Sequence, residues 1–249
     1  MKKLLKVFAM TAMLILGGQA MAQTRGVMFL GASFPVKDFA DFDGFDDFAL
    51  MSDDNDAGAG VGFNAGIKWY FNVGVEGLGV MLSVDGFYNG PNSDLKRAYR
   101  NNEGMIGGQI FNSSFEYNST PKYFNVPFML GLNYVYRVNP QFAVYAEAGA
   151  GGNLRFITEM EYVTKTHLWI LESNTKVTNN YDSAFSFAYQ VGAGIEVAKN
   201  LEVGVSFYDL GKAEVNGQQT IKGDPNSPYT ITGGNMHPVM VLGRIGFSF

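Results

Sequence analysis

Apolar and polar residues alternate with period two through most of this chain. From Phe124 to Arg137 the even positions read Phe124, Val126, Phe128, Leu130, Leu132, Tyr134 and Tyr136. The odd positions read Asn125, Pro127, Met129, Gly131, Asn133, Val135 and Arg137. Successive side chains of a strand point to opposite faces, so this stretch is a strand with one greasy face and one small or polar face. It exceeds the roughly five or six residues of a typical soluble strand and approaches what crosses a bilayer at a tilt of about 45°. Seven further stretches repeat the pattern, at 24–34, 59–71, 78–88, 142–156, 185–197, 201–208 and 239–249.

The connections predicted between them differ by kind. Asn72–Glu76, Val138–Gln141 and Ala198–Asn200 are short and carry turn residues. The other four, near 35–58, 89–123, 157–184 and 209–238, are long. Short turns at one end and long loops at the other are the pattern of bacterial outer-membrane barrels. The fold expected is therefore all-β: an eight-stranded antiparallel up-and-down transmembrane β-barrel with four long extracellular loops and both termini periplasmic.

Alternation alone does not say which face is outside, because a soluble barrel has the opposite sidedness. Composition decides. No Asp, Glu, Lys or Arg falls on the greasy face of any of the eight stretches, and a Lys or Arg facing mid-bilayer lipid costs about 2–4 kcal/mol. The other face is mostly Gly, Ser and Asn, unlike the Lys- and Glu-rich surface that water selects. Trp69, Phe71, Tyr134, Tyr136, Phe142, Phe247 and Phe249 gather toward the turn end, and Tyr88, Phe124, Phe156, Phe185 and Phe207 toward the loop end, as two aromatic girdles.

Beyond the N-terminus no apolar run is long enough for a membrane-spanning helix. The N-terminus itself carries Lys2, Lys3 and Lys6, an apolar core from Val7 to Leu16, and an Ala-x-Ala site ending at Ala22. This predicts a cleaved secretory signal peptide over residues 1–22 and a barrel domain over 23–249. Cysteine is absent, so neither a disulfide nor a lipidated cysteine is expected. The net charge of -5 falls by three units when the leader lysines leave, which disfavours nucleic acid as a partner.

Charges on the polar face would point into the barrel, where they must pair. The set is Arg25, Lys68, Arg137, Arg155 and Arg244 against Asp85, Glu147, Glu196 and Glu202. Lys68, Glu147, Glu196 and Arg244 are expected to meet in the turn-proximal half, with Arg155 nearer the loops. A satisfied salt-bridge network is the plain reading, and a proton or ion path the sharper one. Eight strands leave room only for the barrel's own side chains, so an open pore is not expected. Pro127 cannot donate to a ladder and predicts a bulge or a missing bond.

Tyr123-Phe124-Asn125-Val126-Pro127-Phe128-Met129-Leu130-Gly131, Val191-Gly192-Ala193-Gly194-Ile195 and the terminal Arg244-Ile245-Gly246-Phe247-Ser248-Phe249 carry a resemblance. The chain resembles the outer-membrane β-barrel proteins of Bacteroidota, often labelled porin-family or PorT-like. The resemblance implies an OmpA/OmpX-type eight-stranded barrel in outer-membrane lipid and lipopolysaccharide. It implies a C-terminal strand, ending in Phe249, that the outer-membrane assembly machinery reads. It implies no ligand and no functional residues.

Binding would sit on the loops. In the first loop, Phe39, Phe42, Phe45 and Phe48 recur among acids. Asp41, Asp43, Asp46 and Asp47 are candidates for a divalent cation bridging lipopolysaccharide phosphates, or simply a solvated acidic loop packed on its own aromatics. The spacing is not that of an EF-hand. Asn92 to Arg100 predicts a capped helical turn, 159–171 a β-like run, and 219–232 a hairpin whose edge could pair with a partner's strand. No cofactor motif is present. His167 and His237 lack a Ser or carboxylate at a spacing typical of a hydrolase. The readings in play are a structural or surface-interaction protein with an unknown protein partner at the loops, a narrow channel or export accessory, and, remotely, a barrel enzyme acting on lipid.

Overall fold

A computed structural model of the chain describes residues 24–42, 57–102, 112–168, 171–198, 200–231 and 234–249. The strands are β1 (Thr24–Val36), β2 (Ala59–Asn72), β3 (Leu78–Pro91), β4 (Asn112–Ser119), β5 (Tyr123–Asn139), β6 (Phe142–Ile157), β7 (Met160–Leu168) and β8 (Leu171–Tyr181). They continue as β9 (Ala184–Val197), β10 (Leu201–Asp209), β11 (Ala213–Glu214), β12 (Gly217–Ile221), β13 (Tyr229–Ile231), β14 (Asn235–Met236) and β15 (Val239–Ser248). An α-helix, α1 (Ser93–Asn102), follows β3.

Eight of these strands close an antiparallel barrel in the order β1-β15-β10-β9-β6-β5-β3-β2. They are the eight that alternation predicts, with ends that differ by a few residues. The greasy parity faces outward: Leu30 is 67% exposed and Phe187 66%, with Met28, Val61, Leu132, Val205 and Ile245 exposed alongside them. An apolar belt wound around a closed barrel is stable only against hydrocarbon. Phe249 closes the seam, exchanging backbone hydrogen bonds with Gly26 on β1.

Two of the tight turns are built by asparagine side chains. Asn139 Oδ1 accepts from the amides of Gln141 and Phe142 at 2.9 Å each, and Asn72 Oδ1 accepts from Gly74 at 2.8 Å. Gly77, at φ 75, supplies the left-handed residue that returns the chain into β3.

Pro127 produces missing rungs and no bulge. It stays paired with Asn153 on β6. On the β3 side, pairing stops at Val84–Phe128 and resumes in the same register at Phe87–Asn125. Losing the proline N–H opens the ladder locally, while the long pairing on both sides holds the register.

Beyond the loop end of the barrel stands a second sheet, ordered β13-β12-β8-β7-β4. Alternation points to β7 and to the β12–β13 hairpin, but not to β4 or β8. β8 reads Leu-Glu-Ser-Asn-Thr-Lys-Val-Thr-Asn-Asn-Tyr, and a strand with so few apolar residues carries no apolar stripe to read. The inner face of this sheet, at Met160, rests on Leu95 of α1. Asn92 caps that helix as predicted, its Oδ1 accepting from Asp94 and Leu95 at 3.0 and 2.8 Å. Its Nδ2 donates to the Ala40 carbonyl at 2.7 Å, which ties the first loop to the helix.

Candidate functional site

The barrel interior divides into three storeys. Nearest the turns, Glu196 and Glu202 face each other across β9 and β10. Like charges directly opposite repel, and Arg25 resolves the conflict by reaching across β15 to pair with both. Its Nε donates to Ser248 Oγ at 3.0 Å on the way, and Arg137 adds a second cation to Glu196 at 3.4 Å.

The middle storey centres on Glu147. It takes Lys68, Arg244 at 2.7 Å and the Tyr70 hydroxyl at 3.1 Å. Lys68 is 2% exposed and Glu147 5%. The Arg244 guanidinium lies 4.7 Å from the Phe29 ring centroid and donates to the Tyr208 hydroxyl at 3.2 Å. Tyr208 in turn donates to Asp85 Oδ2 at 3.0 Å. Space for these groups comes from inward glycines: a Cβ on Gly192 would lie 2.4 Å from Ser206 Oγ and 2.9 Å from Glu147. Lys68, Glu147 and Arg244 therefore meet, but Glu196 does not join them. The expectation that all four would meet is corrected by register, which sets Glu196 opposite Glu202 and draws it to Arg25.

The loop-side storey is closed by apolar residues from the loops, above a polar wall that includes Asn89, Asn125, Asn153 and Arg155. Phe39, Ala57, Leu210, Val215 and Met236 come down from the loops and pack on Phe87, Tyr123, Tyr208 and Met240 of the wall. Phe39 is fully buried, with its ring edge-on to Tyr123 at 5.5 Å. It lies inside the mouth of the barrel. Arg155, 1% exposed, pins this stopper from the wall. Its guanidinium donates to the carbonyls of Met236 and Gly211 at 2.8 and 3.0 Å and to Asn125 Oδ1 at 3.3 Å. Among the described residues no carboxylate pairs with it, so this charge is met by peptide dipoles. A small cavity of about 10 Å³ among Phe29, Lys68, Tyr145 and Arg244 is close to one water in size.

At the rim, the Asp209 carboxylate accepts from the Tyr189 hydroxyl at 2.8 Å and from Gly211 N at 2.9 Å. His237 Nε2 lies 2.7 Å from Asp209 Oδ1. Sequence reasoning misses this pair because Asp209 and His237 stand at opposite ends of the fourth loop and only the β10–β15 pairing brings them together. Of the cation candidates, Asp41 is exposed, and Asp43, Asp46 and Asp47 lie outside the described residues. Among the described residues no cluster of metal-ligating side chains occurs. Arg97 of α1 pairs within its own helix, with Asp94 at 3.5 Å.

The extramembrane sheet presents a polar outer face. Glu161 pairs with Lys176 at 2.5 Å and accepts from Asn118 at 2.9 Å, and these bonds hold its carboxyl below the usual carboxylate range. Glu116 pairs with Lys165 at 2.6 Å. Asp224, in the β12–β13 turn, is likewise held low by the Tyr229 hydroxyl and the Asn226 amide. Among the described residues, β4 and β13 are the sheet's unpaired edges.

A family model described as the outer membrane protein beta-barrel domain matches residues 8–224. No curated protein matches the chain. Solved structures similar to it include Ail, the attachment invasion locus protein of Yersinia pestis, at 18% identity, 92% of this chain, 100% of that one and a TM-score of 0.36. OprG of Pseudomonas aeruginosa is similar at 11% identity, 91% and 94% coverage and a TM-score of 0.40. A major outer membrane protein of Thermus thermophilus is similar at 8% identity, 91% and 100% coverage and a TM-score of 0.44. The chain belongs to the outer membrane protein beta-barrel domain family and is an outer-membrane β-barrel.

Proposed function

We propose that this outer-membrane barrel is a surface-interaction protein that works through its extramembrane sheet, with the barrel as an anchor. The observation that carries the reading is the contrast between a filled lumen and an open-edged sheet. Among the described residues, paired charges and the apolar stopper occupy the lumen, with a cavity of about 10 Å³ beside Lys68 and Arg244, while β13 and β4 offer backbone groups to an added strand. In this reading the long-loop end faces the outside, both termini are periplasmic, and residues 1–22 are removed on export. The narrower kinship with PorT-like proteins belongs to the same proposal and rests on the Tyr123–Gly131 strand.

The test is adhesion of cells displaying the protein to a panel of immobilised surface proteins, using wild type and a proline series at Tyr229, Thr230 and Ile231. Proline at a position whose N–H points away from β12 blocks strand addition without disturbing the hairpin. The expected result is adhesion above that of cells lacking the protein, lost in such a variant. Equal adhesion by displaying and non-displaying cells contradicts the reading. Protease accessibility of the 217–231 hairpin on intact cells decides the orientation independently.

A further inference from the structure

The extramembrane sheet is the barrel wall carried upward. Its order β13-β12-β8-β7-β4 repeats the wall's order β15-β10-β9-β6-β5, and each of its strands leads into or out of the wall strand it matches. The β6–β9 register runs unbroken into β7–β8, from Arg155–Ala184 to Met160–Asn179. Strands β1, β2 and β3 have no counterpart in the sheet, and the β3–β5 pairing ends at Asn89–Tyr123. Among the described residues this leaves β4 as an upright edge above β5.

The sheet's two edges are not equally guarded. Proteins blunt an edge strand by shortening it or by placing prolines or charges along it. β13 has three residues and follows Pro228. β4 has eight, Asn-Ser-Ser-Phe-Glu-Tyr-Asn-Ser, with no Lys, Arg or Pro. Its one charge, Glu116, is drawn to Lys165 on the neighbouring β7 at 2.6 Å. The bulge between Tyr117 and Ser119 lies at its foot, nearest the barrel.

Strand direction selects the occupant. β4 leads into β5 at the loop end of the wall, so it runs toward the membrane. Every copy in one membrane runs the same way, and two such edges would pair in parallel. Copies in two apposed membranes run oppositely and pair antiparallel, the slightly more stable ladder. That arrangement is also two-fold, so both copies use the same surface and the contact closes on itself.

The residues of β4 suit such a pairing. Opposed residues of an antiparallel pair turn their backbone groups both toward each other or both away. A strand meeting its own copy must therefore centre on one residue opposite itself. Centring on Glu116 would set two carboxylates face to face, and like charges so placed repel. Centring on Phe115 sets Ser114 against Glu116, Ser113 against Tyr117 and Asn112 against Asn118. Each carboxylate then meets a hydroxyl that can donate to it.

We propose that β4 pairs with β4 of a second copy of this chain in an apposed membrane, in an antiparallel ladder centred on Phe115. This names a partner for the surface-interaction reading above and rests on its claim that the sheet's edges do the binding.

The test reconstitutes the protein in two batches of phosphatidylcholine vesicles, one with a donor dye and one with an acceptor, and reads their clustering by energy transfer. Clustering is expected only when both batches carry protein. Ser114→Glu opposes Glu116 of the second copy twice over and lowers the clustering rate about tenfold. Its vesicles regain clustering when mixed with Glu116→Lys vesicles. The chain has no cysteine, so introduced thiols report the register alone. Directly opposed Cα atoms, roughly 4.5–5.5 Å apart, are within disulfide reach. Oxidation is expected to link Phe115→Cys to itself, and Ser114→Cys to Glu116→Cys. Heat-modifiable migration on gels confirms that each variant is folded.

Clustering no greater than that of protein-free vesicles overturns the proposal, as does a wild-type rate from folded Ser114→Glu. Equal clustering of protein-bearing with empty vesicles assigns the contact to lipid and overturns it too. Adhesion to immobilised proteins that persists beside such a failure leaves the surface-interaction reading standing.

Discussion

The two ends of the lumen are filled by opposite means. Toward the turns, wall-borne charges cancel one another: Arg25 and Arg137 against Glu196 and Glu202, then Lys68 and Arg244 against Glu147, with Asp85 tied in through Tyr208. Toward the loops, apolar residues from distant loop stems make the seal, and the buried cation there, Arg155, is satisfied by carbonyls. The difference teaches what each end can lose and still hold. A paired charge holds neighbouring strands in one register, and removing one member strands the others. A loop stopper held by packing can loosen without opening the barrel.

That contrast can be broken most forcefully at Glu147. Glu147→Leu leaves Lys68 and Arg244 buried without their carboxylate and is expected to lower stability by about 3–5 kcal/mol, read from the urea midpoint. Adding Lys68→Met and Arg244→Met should recover most of the loss. Phe39→Ala is expected to remove about 3 kcal/mol of packing at the loop end. Trypsin should then cut faster at Lys37, while hydrogen exchange in the turn-side strands stays unchanged.

Arg155→Met frees two carbonyls and Asn125 but also removes a buried cation that has no carboxylate partner among the described residues. A net loss of about 1–2 kcal/mol is expected, with amides 210–216 losing exchange protection. The smallest effect is on the extramembrane sheet. Glu161 and Asp224 have carboxyls held below their usual values, so their bonds contribute fully above the unfolded carboxylate range. That contribution fades as pH falls through their folded values. Exchange in β7, β8 and β12 should therefore quicken on acidification, weakly, because both groups are exposed.

The barrel was legible because a period of two, with charge excluded from one parity, leaves little choice of sidedness. Thus Leu30, Leu132 and Phe187 point outward where the pattern put them. The charged residues could be assigned to the interior but not partnered. Partnering depends on strand stagger, and stagger alone sets Glu196 opposite Glu202. The stopper was hidden because Phe39, Leu210 and Met236 are far apart in sequence and obey no period. β8 was hidden for the opposite reason: the face it buries carries Val177, Asn179 and Tyr181, too polar a set to read as an apolar stripe. Asp209 and His237 are joined only by the closing of the fourth loop.

Everything assigned to the loops follows from a lumen that is filled. Single-channel recording of the purified protein in planar bilayers tests this most directly. A flat trace under applied voltage, unchanged across pH, is the result expected of wild type. Reproducible, voltage-stable conductance steps from wild-type protein would contradict the account and move the function from the sheet into the barrel.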